Sequence, residues 1–210
     1  MIRVVITDDH ELIRSGFARL IEREEDLTLA AEAGDAAETF ETLEKEPCDV
    51  LVLDISLPDR SGLEVLKEVQ GRFPRLPVLI LSMHSEEQYA LRALQAGALG
   101  YITKNNASQE LVKAIRKVGD GSRYVGERTA EKLALSIGPR GAAQPHERLS
   151  DREYQILALI GSGQSVREVA EELSLSIHTV NTYRRRILEK LDLDTTTQIV
   201  RYALEHEITL

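Results

Sequence analysis

Cysteine is nearly missing from this chain. One thiol, Cys48, among 210 residues rules out an internal disulfide, and its apolar neighbours point to a small buried side chain rather than a reactive one. Long apolar runs are missing as well, since none approaches the roughly 18 residues that span a bilayer. The opening MIRVVITDDHE holds acids where a signal peptide would keep its apolar region, so the expectation is a cytoplasmic protein with no membrane partner. Positive charge is in deficit: 26 Lys and Arg stand against 35 Asp and Glu, a net charge of -9. That argues against a protein that coats nucleic acid nonspecifically. No fixed-period repeat or low-complexity tract is visible. The length allows one large domain or two small ones, each able to bury a core.

What is present is alternation. The strand-like runs IRVVIT (2–7), LTLAAEA (27–33), VLVL (50–53), VLILS (78–82) and LGYIT (99–103) each precede a stretch of helical periodicity, near 11–23, 36–45, 62–72, 86–95 and 108–119. Five βα units in succession predict a doubly wound parallel sheet, for which the flavodoxin-like order 2-1-3-4-5 suits the count. After residue 121 the pattern changes. A helical piece, ERTAEKLALSI (127–137), leads into GPRGAAQPHE (138–147), which reads as a flexible joint. Beyond it only helical periodicity remains, near 151–161, 165–173, 177–190 and 196–207, with Ser150 and Glu153 forming a capping box for the first. The expected organisation is an α/β domain over 1–121, a linker with a short helix over 122–147, and a small all-α four-helix domain over 148–210.

In an open parallel sheet, ligands bind beyond the carboxyl ends of the strands. Four of the five strands end there on polar groups: Asp8 and Asp9, Asp54, Ser82, and Lys104. In the order 2-1-3-4-5 these four strands are neighbours, so the groups converge. Three clustered carboxylates repel one another unless a cation sits among them, and hard oxygen ligands suit Mg²⁺. With the metal neutralising a phosphoryl group, Asp54 could attack phosphorus as a nucleophile, while Lys104 pairs with the product and Ser82 donates a hydrogen bond to it. Taken singly, Asp9 reads equally as a turn former, Lys104 as a solvated loop charge and Ser82 as a helix cap. His10 and His84 read as loop residues.

The segments TDDH, VLVLDISLPDRSG, VLILSMH and GALGYITK, in this order over residues 1 to about 120, resemble the markers of a bacterial response-regulator receiver domain. The resemblance implies that a partner histidine kinase phosphorylates Asp54. It also implies that Asp8, Asp9, Asp54 and the Ser56 backbone carbonyl help hold Mg²⁺, that Ser82 and Lys104 contact the phosphoryl group, and that Tyr101 and Ser82 act in the switch. Tyr101 reads alternatively as a core aromatic, and Ser82 stands where many members have threonine.

In the second segment, SVREVAEELSLSIHTVNTYRRRILEKL (165–191) has the layout helix, short turn, helix. Val166, Val169, Ala170 and Leu173 recur at helical spacing, with Leu175 and Ile177 as turn anchors. At 100° per residue Val180, Ile187 and Leu191 share one face of the next helix, with Thr182 and Glu189 opposite and Asn181, Arg185 and Arg186 alongside. Such a face suits a major groove, because asparagine pairs bidentately with adenine and arginine with guanine. Residues 147–210 carry 8 Lys and Arg against 11 Asp and Glu, so the attraction is local. The bland reading is a solvated arginine face on a helical bundle. The stretch LSDREYQILALIGSGQSVREVAEELSLSIHTVNTYRRRILEKL, however, resembles a LuxR-type helix-turn-helix domain over nearly the whole segment, and its pairing with a receiver resembles the NarL/FixJ class. By that resemblance Asn181, Thr182 and Arg185 face bases, while Ser176, Thr179, Arg184 and Arg186 contact the DNA backbone; Arg184 leans toward the buried side. Many members carry lysine at Asn181 and histidine at Tyr183, so the usual site preference does not transfer. The final helix, with Ile199, Val200, Ala203 and Leu204, resembles the element through which such domains pair.

The resulting expectation is a phosphorylation-controlled transcription regulator, not a stand-alone enzyme. It would bind double-stranded operator DNA as a homodimer formed on phosphorylation or on DNA, with RNA polymerase a further candidate partner. The rival readings are a Mg-dependent phosphohydrolase resembling the haloacid dehalogenases, whose second acid would fall at Ser56; a flavodoxin-like redox domain, although the acids of TDDHE stand after the first strand where such a domain needs a phosphate-cradling loop; and a regulator of the same family that acts without phosphorylation.

Overall fold

The computed structural model describes residues 1–82, 87–126, 130, 144–206 and 208. It divides into two compact units, Met1–Leu135 and Ser136–Leu210. The expected linker helix over 127–137 lies, except for Ala130, outside the described residues, as does His84.

In the first unit the elements run β1 (Ile2–Thr7), α1 (Glu11–Ile21), β2 (Leu27–Ala33), α2 (Ala36–Lys45), β3 (Val50–Asp54), α3 (Gly62–Arg72), β4 (Val78–Ser82), α4 (Glu87–Gln95), β5 (Gly100–Thr103), α5 (Lys104–Gly119) and β6 (Tyr124–Val125). The sheet order is β2-β1-β3-β4-β5-β6, with every pairing parallel. This is the expected flavodoxin-like order extended by a sixth strand. Two residues, Tyr124 and Val125, are too short a run to carry a period in sequence, and they pair with Gly100 and Tyr101. The second departure is at α5, which begins at Lys104 rather than near 108, so the lysine opens a helix instead of sitting in a loop.

The central strands are buried on both faces, which is why they read as unbroken apolar runs. All five residues of β3 and all five of β4 are buried. One face of the sheet packs its core with Val4, Ile6, Val52, Leu79 and Leu81 against Phe17 and Ile21 of α1 and Leu111, Ala114, Ile115 and Val118 of α5. Each such aliphatic side chain contributes about 1.5–3 kcal/mol by leaving water. At the amino end of the sheet, Arg3 Nε and Nη2 donate to the two oxygens of Asp49 at 2.8 and 2.7 Å, tying β1 to the residue before β3. Cys48 beside it is half-buried, and burial pushes its thiol up to about 11, which keeps it protonated.

One close approach fixes the geometry around β3. A Cβ on Gly62 would fall 2.1 Å from the Asp54 carbonyl oxygen, so α3 begins where it does because residue 62 has no side chain.

The second unit contains a short 3-10 helix (Pro145–Arg148) and the helices α6 (Asp151–Gly161), α7 (Val166–Glu172), α8 (Ile177–Leu191) and α9 (Thr196–Glu205). The capping box of Ser150 and Glu153 is present, and Ser165 with Glu168 makes another. Helix α8 packs on α6 and α7, and α9 packs on α6. Among the described residues no helix is long and apolar enough to cross a membrane.

Candidate functional site

Because β1, β3, β4 and β5 are consecutive, their carboxyl ends form one edge, and the side chains there meet. Lys104, the first residue of α5, is 4 % exposed and reaches between two fully buried acids, with Nζ 2.6 Å from Asp8 Oδ2 and 2.7 Å from Asp54 Oδ2. Asp54 Oδ1 accepts from the Ser56 backbone N–H at 3.2 Å. Asp9, on the rim, is partly exposed. Ser82 is buried at the end of β4, paired across the sheet with Thr103. Tyr101 is wholly buried on β5, opposite Ile80, a placement that suits both a core aromatic and a switch residue.

Burial dominates the electrostatics of Asp54. Its carboxyl is pushed up to about 6, chiefly by desolvation and further by the neighbouring Asp8, against the lowering effect of Lys104. Lys104 is desolvated too, but the charges of Asp54 and Asp8 outweigh that and raise its pKa. Three acids with one lysine leave a surplus of negative charge at the pocket, and Asp8 Oδ2, although ion-paired with Lys104, makes no directed hydrogen bond. A donor set of carboxylate oxygens carrying more negative charge than Lys104 offsets fits a hard divalent cation.

Two further side chains reach these acids: His10, which the sequence leaves as a loop residue, and Arg14, which it does not single out. The His10 ring lies 2.6 Å from Asp9 Oδ1 and 3.4 Å from Asp8 Oδ1, because the loop after β1 turns so that the His10 N–H donates to Asp8 Oδ1 at 2.9 Å. The only sequence signal was its adjacency to the two acids. Arg14 donates through Nη1 to the Asp8 backbone carbonyl, a contact that no spacing rule would reveal.

In the second unit, α8 buries Val180, Ile187 and Leu191, the face that the 100° wheel selects. Arg185 and Arg186 are exposed, while Asn181 and Thr182 are partly so. Arg185 makes only a loose 3.7 Å pair with Glu189, and the Arg186 guanidinium lies 5.8 Å from the Tyr183 ring centre. One expectation needs correction. Ile177 is 51 % exposed; as the first residue of α8 it sits on the helix shoulder and does not anchor the turn. Arg184 donates to Thr196 Oγ1 at 2.7 Å, so its guanidinium ties α8 to the start of α9. Ser176 accepts from the Thr179 N–H at 3.0 Å and bonds the Thr179 hydroxyl at 2.8 Å, which makes this pair the amino-terminal cap of α8. In α9, Ile199 and Ala203 are buried, leaving Val200 half-buried and Leu204 61 % exposed. Val200 and Leu204 are therefore the part of this apolar set that faces outward.

Residues 4–116 match the response regulator receiver domain, and residues 147–203 match the bacterial regulatory proteins of the luxR family. The chain is 36% identical over 207 residues to the response regulator UvrY of Escherichia coli K12, covering 98% of this chain and 95% of that one. It is 35% identical to the response regulator GacA of Pseudomonas aeruginosa, with 98% and 97% covered. Among solved structures, RcsB of Salmonella typhimurium aligns with a TM-score of 0.61 at 26% identity over 96% of this chain and 97% of that one. A two-component response regulator RcsB–DNA complex aligns at 0.62 and 25% identity, with 96% of each chain covered. This chain belongs to the two-component response regulators of the NarL/FixJ class, built from a receiver domain and a LuxR-type helix-turn-helix domain.

Proposed function

We propose that Asp54 accepts a phosphoryl group from a partner histidine kinase and thereby controls operator binding by α8. The observation that carries this reading is the Lys104 ammonium held between the buried carboxylates of Asp54 and Asp8 at 2.7 and 2.6 Å. A cation already spans the acceptor and its neighbour, so charge added at Asp54 has a partner in place. Asp8, Asp9, Asp54 and the Ser56 carbonyl would hold Mg²⁺, whose charge offsets that of the incoming phosphoryl group. Lys104 then follows the new anion, the Ser82 hydroxyl donates to it, and Tyr101 on the next strand reports the change as a switch residue. Position 56, where a haloacid-dehalogenase-like phosphohydrolase would carry its acid, is a serine, which supports a regulator rather than a stand-alone enzyme.

At the other end, Asn181, Thr182 and Arg185 present short and cationic groups for base edges, and Arg186 supplies phosphate contact. Ser176 and Thr179 contact the DNA backbone only so far as their capping role leaves them free, and Arg184 would have to leave Thr196 to do so. Double-stranded operator DNA and a second copy of the chain are the partners this reading requires; the stretch between β6 and the 3-10 helix serves as the joint, and the cytoplasm as the compartment. Selection from random duplexes under phosphorylating conditions tests it. Arg185→Ala is expected to lose discrimination between selected and random DNA; an equal loss on both would make Arg185 a phosphate contact instead.

A further inference from the structure

The sixth strand builds a cleft that phosphoryl acceptance and DNA reading leave unused. Between α5 and β6 lies a hollow of about 540 Å³, within the roughly 300–1,000 Å³ of small-molecule sites. Three cations line it: Lys113 and Lys117, one turn apart on α5, and Arg123 from the turn before β6. All three are exposed, and no acid among the described residues pairs with them. Elsewhere on this unit Arg3, Arg14, Arg60, Arg72 and Arg116 each hold an acid. Like charges one turn apart destabilise a helix slightly, and with 35 acids in the chain against 26 bases, partners for these three were not scarce. The floor is of another character. The Lys113 ammonium lies 5.9 Å from the Tyr124 ring centre, and Glu110 sits beside the Tyr124 hydroxyl, which burial and that carboxylate hold above the ordinary phenol range. A Cβ on Gly126 would come 2.9 Å from Glu110 Oε2, so the bare glycine leaves the carboxylate its place.

These groups select on two counts. A phosphate monoester carries a charge of about -1.5 to -2 at pH 7 and three acceptor oxygens, which converging ammonium and guanidinium groups match. Glu110 repels a bare polyanion but accepts from hydroxyls that stand next to the phosphate. We propose that the α5–β6 cleft binds a small phosphate monoester bearing free hydroxyl groups, a sugar phosphate or a nucleoside monophosphate, with Lys113, Lys117 and Arg123 on the phosphate and Glu110 on the hydroxyls. The hollow shape and its carboxylate floor favour such a ligand over an acidic protein surface or a duplex, neither of which brings donors for Glu110. The rival is diffuse attraction, in which the three cations draw any anion in proportion to its charge.

Calorimetric titration of the full chain with glucose 6-phosphate and with adenosine monophosphate, each beside inorganic phosphate, distinguishes the two. Metal-free buffer keeps the Asp54 pocket from recruiting phosphate through an ion. One ester is expected to bind saturably and about tenfold or more tightly than inorganic phosphate, and which ester does so tells sugar from nucleotide. Lys117→Gln is expected to weaken that ester about tenfold or more, the scale of one charge-assisted hydrogen bond. Lys113→Gln gives the same reading where a melting curve shows Lys117→Gln to be poorly folded. Glu110→Ala is expected to abolish the preference for the ester over inorganic phosphate. Arg75→Gln, which removes an exposed cation of the same unit outside the cleft, is expected to change neither affinity. Equal losses in Arg75→Gln and Lys117→Gln, or inorganic phosphate binding as tightly as both esters, would overturn the site and leave diffuse attraction. Absence of saturable binding by both esters would also overturn it.

Discussion

Asp54 is held in a place where its charge is costly. Desolvation and the nearby Asp8 push its carboxyl from 3.8 up to about 6 despite Lys104. A carboxyl raised in the fold contributes full stability while protonated, below its unfolded value, and loses that contribution as pH rises through its folded value. With metal chelated, Asp54→Asn is therefore expected to raise the receiver's melting temperature at pH 8 by several degrees. The gain should shrink as pH falls below about 6 and vanish near 3.8, where wild type is itself protonated. Differential scanning calorimetry across that range checks the claim, and a destabilised Asn variant at pH 8 would show that the Lys104 pair outweighs the burial cost. The partners of Asp54 were legible in sequence as strand-end residues. His10 and Arg14 were not, because their contacts depend on how a loop turns rather than on any period.

At the scale of the element, two features set where the functional side chains stand. Gly62 lets α3 begin against the Asp54 carbonyl, and any Cβ there would meet that oxygen at 2.1 Å. Gly62→Ala is expected to cost several kcal/mol, as overpacking and backbone displacement do, and to shift Asp54 with it; a chemical denaturation curve superposable on wild type would contradict this. Ser176 caps α8, so Ser176→Ala is expected to cost about 1 kcal/mol of stability. Ser176→Asn should restore the cap, and a DNA-binding defect that persists in the Asn variant marks a direct contact by the hydroxyl. Both elements were visible in outline: the strand runs, the helix periods and the Ser150 box all follow local rules. The two-residue β6 and the early start of α5 escaped notice, since a two-residue strand has no measurable period and KNNASQE has no apolar stripe. Ile177 was misplaced for a related reason. Spacing shows that apolar residues share a face, but the packing partners decide which face is buried.

At the scale of the whole molecule, the chain joins a receiver domain to a LuxR-type helix-turn-helix domain, and the proposed function requires one to bias the other. Moving a two-state switch from 1:99 to 99:1 takes about 5.5 kcal/mol of differential stabilisation. On the proposed reading a new anion beside Lys104 would supply part of that, and dimerisation on adjacent half-sites would amplify the remainder. Everything downstream depends on Asp54 being the group that is modified. The direct measurement is the intact mass of the chain after exposure to acetyl phosphate with Mg²⁺, wild type beside Asp54→Asn. Wild type is expected to gain the mass of one phosphoryl group, located at Asp54 and labile to base, with no gain in the variant. An unmodified wild type with metal bound, or a gain that survives Asp54→Asn, would contradict it.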